Sequence, residues 1–287
     1  MKPKILASLA AIAIVVAVAG GATVAYFSDT EKSTGNTFAA GTIDLKVSNE
    51  SYVTDPATGV LVKSSATSWL SGDLTIEKFF NFTDIKPGDV GEDTIDLVVG
   101  TNPAWGCAKL TLTSNEDNGC TEPELDEGAD PDCSATSTDP FDGELAQGIE
   151  FVWWADDGDN VLEDNEEATK YYLGPDSITN LLGADKELNL TMADSRLNFF
   201  NPGGGPLAAN TTYYIGKGWC YGDMTLTPED DADGDGSPID RGTGFSCNGS
   251  AAGNEGQSDK LTADVEFTVE QFRNNSNFLC PEHVTGR

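Results

Sequence analysis

The chain is poor in histidine and in positive charge. Its 287 residues include one histidine, His283, and 16 lysines and arginines against 48 aspartates and glutamates. A formal charge of -32 excludes nucleic-acid binding, and attraction to an acidic membrane, by electrostatics. The chain has no His-Glu-x-x-His and no Cys-x-x-Cys, and a single tail histidine cannot supply the several nitrogen or sulfur ligands that a zinc hydrolase needs. The same shortage leaves a serine or cysteine nucleophile without a histidine base in a core. Two carboxylates suffice for glycosidase chemistry, yet no pair of acids stands out from so acidic a background. No catalytic activity and no required cofactor are expected; the one candidate ion is Ca2+, since carboxylates favour hard cations.

Long apolar runs are also scarce, and the one present is at the start. Met1-Lys2-Pro3-Lys4 leads into an apolar stretch from Ile5 to Ala19 and then into Gly20, Gly21, Ala22, Thr23, Val24 and Ala25, the three parts of a secretory signal. Residues 1–25 are therefore expected to be cut by a signal peptidase between Ala25 and Tyr26 during export. The alternative is a retained anchor, because the run approaches the ~20 residues that cross a bilayer. No second apolar span follows, so no membrane association is expected after cleavage. Loss of Lys2 and Lys4 would take the formal charge from -32 to -34. Such acidity reads as a solvated surface, or in part as cation binding.

Six cysteines, Cys107, Cys120, Cys133, Cys220, Cys247 and Cys280, fit an oxidising compartment and paired disulfides. Of the fifteen pairings open to six cysteines, closure of local acidic loops suggests Cys120 with Cys133 and Cys220 with Cys247, leaving Cys107 with Cys280. The spacing does not decide among them.

Short stretches rich in β-branched and aromatic residues recur between Gly, Pro, Asn and Asp: Thr42 to Ser48, Val60 to Ser64, Leu74 to Phe82, Asp93 to Val99, Lys109 to Thr113, Ile149 to Ala155, Thr211 to Tyr221 and Leu261 to Val269. In the last, Leu261, Ala263, Val265, Phe267 and Val269 alternate with Thr262, Asp264, Glu266 and Thr268. This is the pattern of half-buried antiparallel strands, and predicts an all-β sandwich with little helix. Asp176 to Leu182 is the best helix candidate, with Asp176 as cap and Gly183 as stop. Two acidic segments without alternation, about 116–144 and 228–260, read as loop insertions on a single domain running from 39 to 287.

Two loops carry carboxylates in patterns that suit calcium. Asp231, Asp233 and Asp235 precede Gly236 as in the start of an EF-hand loop, but Gly242 stands where a bidentate Glu is expected. Asp156, Asp157 and Asp159, followed by Glu163 and Asp164, cluster just after the aromatic strand Phe151 to Trp154. Solvated turns are the other reading of both. Asn49, Asn81, Asn189, Asn210, Asn248 and Asn274 begin N-glycosylation sequons. Val152-Trp153-Trp154 and Tyr213-Tyr214 read as core rather than as sugar-stacking platforms.

The segment Ala22-Thr23-Val24-Ala25-Tyr26-Phe27-Ser28-Asp29-Thr30-Glu31, then Asn36-Thr37-Phe38-Ala39-Ala40-Gly41-Thr42-Ile43-Asp44-Leu45, resembles the amino end of the TasA/camelysin family of secreted biofilm-matrix fibre proteins. Asp84-Ile85-Lys86-Pro87-Gly88-Asp89 resembles the family's Leu-Lys-Pro-Gly-Asp turn, and Leu261 to Asn277 its closing strand. The resemblance implies a jelly-roll sandwich and head-to-tail homopolymers, pili or matrix fibres, in which the processed amino end adds a strand to the next subunit. The donor would be Tyr26, Phe27, Ser28, Asp29, Thr30 and Glu31 onward to roughly Gly35, with residues 26–38 forming strand and hinge. Camelysin-type relatives are also classed as metallopeptidases. The alternatives to a filament subunit are a monomeric secreted module that binds calcium or carbohydrate, and a secreted peptidase.

Overall fold

The computed structural model describes residues 43–125, 130, 133, 139–169, 172–230 and 236–281, with backbone alone at 167–169 and 172–173. The expected signal segment 1–25, the donor segment 26–38, His283 and the carboxylates Asp231, Asp233 and Asp235 lie outside the described residues.

The fold is all-β, two antiparallel sheets packed face to face. The larger sheet contains β1 (Leu45–Thr54), β2 (Leu61–Lys63), β3 (Trp69–Gly72), β4 (Val90–Val99), β6 (Ile149–Asp156), β7 (Tyr172–Ser177) and β9 (Thr212–Tyr221), in the order β2-β1-β4-β9-β6-β7 with β3 also on β1. The smaller has the order β12-β5-β8, from β5 (Ala104–Glu116), β8 (Glu187–Ala193) and β12 (Lys260–Gln271). A hairpin of β10 (Asp223–Leu226) and β11 (Phe245–Asn248) lies outside both. Among the described residues helix is limited to α1 (Glu122–Leu125), α2 (Leu145–Gly148), α3 (Asp164–Thr169), α4 (Ile178–Leu182), α5 (Pro238–Arg241) and one 3-10 turn.

Strand alternation builds the core. Ile95 and Leu97 of β4, Ile215 and Trp219 of β9 and Ile149 and Trp153 of β6 face Leu110 and Leu112 of β5 and Leu188, Leu190 and Met192 of β8. The other row of β6 is buried as well: Val152 and Trp154 pack with Leu162, Met224 and Phe245 in a second cluster on the outer face. Two glycines admit tryptophans to these rows. Gly216 pairs across the strands with Trp154 and Gly91 with Trp219, and a Cβ on either would lie 2.0 to 2.1 Å from the facing indole. Each indole occupies the space that a side chain on the facing glycine would take.

The disulfides join Cys107–Cys280, Cys120–Cys133 and Cys220–Cys247, with Cα separations of 5.5–5.7 Å. The first ties the middle of the smaller sheet to the carboxyl end.

Several sequence expectations are corrected. Leu74 to Phe82 forms no strand, because the Glu77 carboxylate accepts from the backbone N–H groups of Thr75 (2.6 Å) and Ile76 (2.9 Å) and curls the chain locally. Strands β3, β7, β8 and β10 lie outside the stretches expected from sequence, and the 228–260 insertion contains β11. The cap of α4 is Ser177, whose hydroxyl accepts from Asn180 N at 3.3 Å, and Asp176 instead accepts from Ser177 N and Asn180 Nδ2. Gly183 ends that helix as expected from its position.

Candidate functional site: a groove between the sheets

The strongest site is an apolar groove of about 830 Å3 between the inner faces of the two sheets. Native interiors rarely leave voids larger than a water. One wall is Ile149, Phe151, Trp153 and Trp219 of the larger sheet; the opposite wall includes Leu261, Ala263 and Val265 of β12. The apolar row of β12 faces another sheet, yet Leu261, Ala263, Val265, Phe267 and Val269 are all only half-buried. A core row left partly wet marks an unfilled interior rather than a solvent face.

Among the described residues β12 hydrogen-bonds only to β5, so its outer edge is unpaired along twelve residues. Beside that edge runs the strandless segment 74–82. Phe79 meets Phe267 of β12 edge-on at 5.8 Å, and Phe82 stacks on Trp219 of β9 at 5.3 Å. Ahead of its aromatic residues the chain is wet: Leu70 of β3 is 92 % exposed and Ile76 86 %.

The groove contains one buried ion pair. Lys217 Nζ donates to Asp93 Oδ1 at 2.8 Å and sits 5.6 Å from the Phe80 ring and 5.9 Å from the Trp153 ring. Burial pushes the Asp93 carboxyl up to about 6, against the opposing pull of Lys217. Lys217 occupies an inward position of β9 between Ile215 and Trp219, where alternation demands an apolar residue. A lysine in such a row is the sequence signal of this pair.

The acidic cluster after β6 is on the other face of the larger sheet. Asp156, at the end of β6, accepts from Thr94 Oγ1 at 2.7 Å and from Trp154 Nε1 at 3.0 Å, and burial raises its carboxyl to about 6. Asp157 is exposed, and Asp159 is bridged by Arg241 at 2.7 Å. The oxygens of these three acids lie within 4.8 Å of one another, whereas Asp164, named with them from sequence, opens α3. Glu92 and Glu166, which join this region in space, are too distant in sequence or too ordinary in context to have been singled out.

Five of the sequons begin at half-buried or exposed asparagines. The sixth, Asn49, is 3 % exposed, and its amide donates to Thr67 O at 2.7 Å.

The model of a family described as camelysin metallo-endopeptidase matches residues 1–97. The amino-terminal third is camelysin-like. That camelysin-like region takes in β1, β2 and β3 and reaches Leu97 of β4, and so includes the segment that borders the groove. No curated protein matches the chain. No helix among the described residues is long and apolar enough to cross a membrane.

Proposed function

We propose that the protein is an exported structural subunit that polymerises head to tail into extracellular filaments, the processed segment from Tyr26 to Gly35 of one copy entering the groove of the next. The half-wet apolar groove beneath the unpaired edge of β12 carries this reading. An unpaired edge is an aggregation hazard unless it is covered or used, and strand addition uses it: main-chain hydrogen bonds give affinity while alternate side chains fill pockets. Tyr26 to Gly35, fully extended, would span about 33 Å, which matches the roughly 40 Å of twelve-residue β12. Phe27 is the largest side chain available to fill an apolar pocket after Tyr26. Donation from one copy to the next is heterologous and does not close, so it propagates as a fibre. Cleavage after Ala25 is the step that frees the donor from the export membrane.

Electron microscopy of the processed protein beside a variant lacking Tyr26 to Gly35 tests this. Filaments from the first and monomers from the second are expected; filaments formed equally well by both would overturn strand donation.

The family's description supports a second reading, a secreted metallo-endopeptidase. It requires chelator-sensitive hydrolysis of a peptide substrate by protein free of host proteases, and absence of that hydrolysis would remove it.

A further inference from the structure

We propose that the outer face of the larger sheet carries a calcium site, formed where Asp156, Asp157, Asp159, Glu163 and Glu166 meet Glu92 of β4. The inference is independent of the filament reading, since it concerns the opposite face of the sheet from the groove.

The loop after β6 is shaped to gather oxygens. Gly158 (φ +117°) and Asn160 (φ +66°) turn the chain back on itself, a conformation that glycine and asparagine adopt most readily. Asn160 Oδ1 accepts from Thr94 N at 2.8 Å and so fastens the turn to β4. Two triads of carboxylates result, Asp156 with Asp157 and Asp159, and Asp157 with Glu163 and Glu166, the oxygens within each lying inside 4.8 Å. Asp157 belongs to both, so the triads are one continuous cluster.

Glu92 is the independent observation. It comes from a different strand, more than sixty positions earlier in the chain, and is 1 % exposed with neither carboxylate oxygen accepting a hydrogen bond. It stands on the same outer row as Thr94, two residues away, and Thr94 holds both Asp156 and Asn160. Burial first, then the charges of Asp156, Asp93, Asp159 and Glu166, raise its carboxyl well above the ordinary range. A buried carboxylate without a donor costs several kcal/mol unless it is neutralised or coordinates a metal. Glutamine would satisfy the sheet better than glutamate if the site were merely structural.

Charge points the same way. Among the described residues Arg241 bridges Asp159 at 2.7 Å and Glu163 at 2.6 Å, in a cluster of five carboxylates of which Asp156, Glu163 and Glu166 are buried, with Glu92 buried on the neighbouring strand. An all-oxygen donor set of this size on a glycine-containing loop suits Ca2+, which takes six to eight oxygen ligands in flexible geometry, and offers no nitrogen or sulfur to zinc. The ion would clamp the loop between β6 and α3 onto β4.

The test uses the full chain and the metal alone. At matched ionic strength, Ca2+ at about 100 times its Kd should raise the melting midpoint by about 5–10 °C over the same protein in chelator. Trp154, whose indole touches Asp156, should sensitise Tb3+ luminescence that Ca2+ displaces. E92Q should shrink the calcium-induced shift while raising the midpoint in chelator, two changes of opposite sign that a purely structural Glu92 would not give together. D157N, at an exposed position where folding is not at risk, should weaken Tb3+ binding at least about tenfold. No calcium-dependent shift in the unsubstituted protein, or an equal shift from KCl or Mg2+ at the same ionic strength, would overturn the proposal.

Discussion

The Lys217 ammonium lies 2.8 Å from the Asp93 carboxylate between the two sheets, and neither side chain is more than 3 % exposed. Water cannot solvate either charge, so each depends on the other. Lys217→Met should therefore destabilise the fold by about 3–5 kcal/mol in urea titrations, by stranding the carboxylate. Lys217→Met with Asp93→Leu should recover most of that loss. A double variant no more stable than the single one would mean that the pair does more than neutralise itself.

Filling the groove from within should compete with filling it from a neighbour. Ala263 projects from β12 into the cavity. Ala263→Phe is expected to leave the monomer's circular dichroism unchanged, to raise its melting midpoint by a few degrees through burial of added apolar surface, and to abolish filaments in electron micrographs.

Acidity should stabilise the fold. The Asp259 carboxylate accepts from Glu144 N at 2.6 Å and Leu145 N at 3.0 Å, yet burial raises it to about 6. Burial and the charges of Asp130 and Asp259 raise Glu144 to about 7. Both groups hold protons more tightly folded than unfolded, where carboxyls titrate near 4. Between about pH 4 and 7 the folded state binds more protons, so stability falls as pH rises through that window and levels off above it. Melting curves in chelator should show this slope, and Asp259→Asn with Glu144→Gln should flatten it relative to the unsubstituted chain.

Glycan occupancy offers a check on Asn49. In an N-glycosylating host, mass spectrometry of folded, secreted protein should find Asn49 bare whatever the state of Asn81, Asn210, Asn248 and Asn274, because its amide is spent on Thr67 O. Asn49→Ala should cost about 1–3 kcal/mol by leaving that carbonyl unsatisfied.

Where alternation was strong, the fold was legible. Leu261 to Val269 and Ile149 to Ala155 became β12 and β6, and the apolar row of Leu261 to Val269 faces the opposite sheet. Alternation says which row faces the opposite sheet, but not whether anything fills the space between, so the half-burial of the β12 row had no sequence signal. Leu74 to Phe82 misled because its composition suits a strand while Glu77, a single side chain, offers the backbone nearer acceptors. Strand β8 was overlooked although Leu188, Leu190 and Met192 alternate, since the polar Asn189 and Thr191 between them resemble loop composition. Asp156, Asp157 and Asp159 were found as neighbours in sequence. Glu92 could not be, because its place in the cluster depends on β4 and β6 both flanking β9 in the larger sheet.

The tryptophan–glycine pairs set a limit on how this sheet can diverge. With the Trp154 ring 2.0 Å from where a Gly216 Cβ would stand, that glycine can acquire a side chain only if the indole opposite is lost in the same lineage. Gly91 and Trp219 carry the same constraint. Each pair is thus inherited as one unit of two positions more than sixty residues apart along the chain, and a drift in either member alone is a route closed to neutral change.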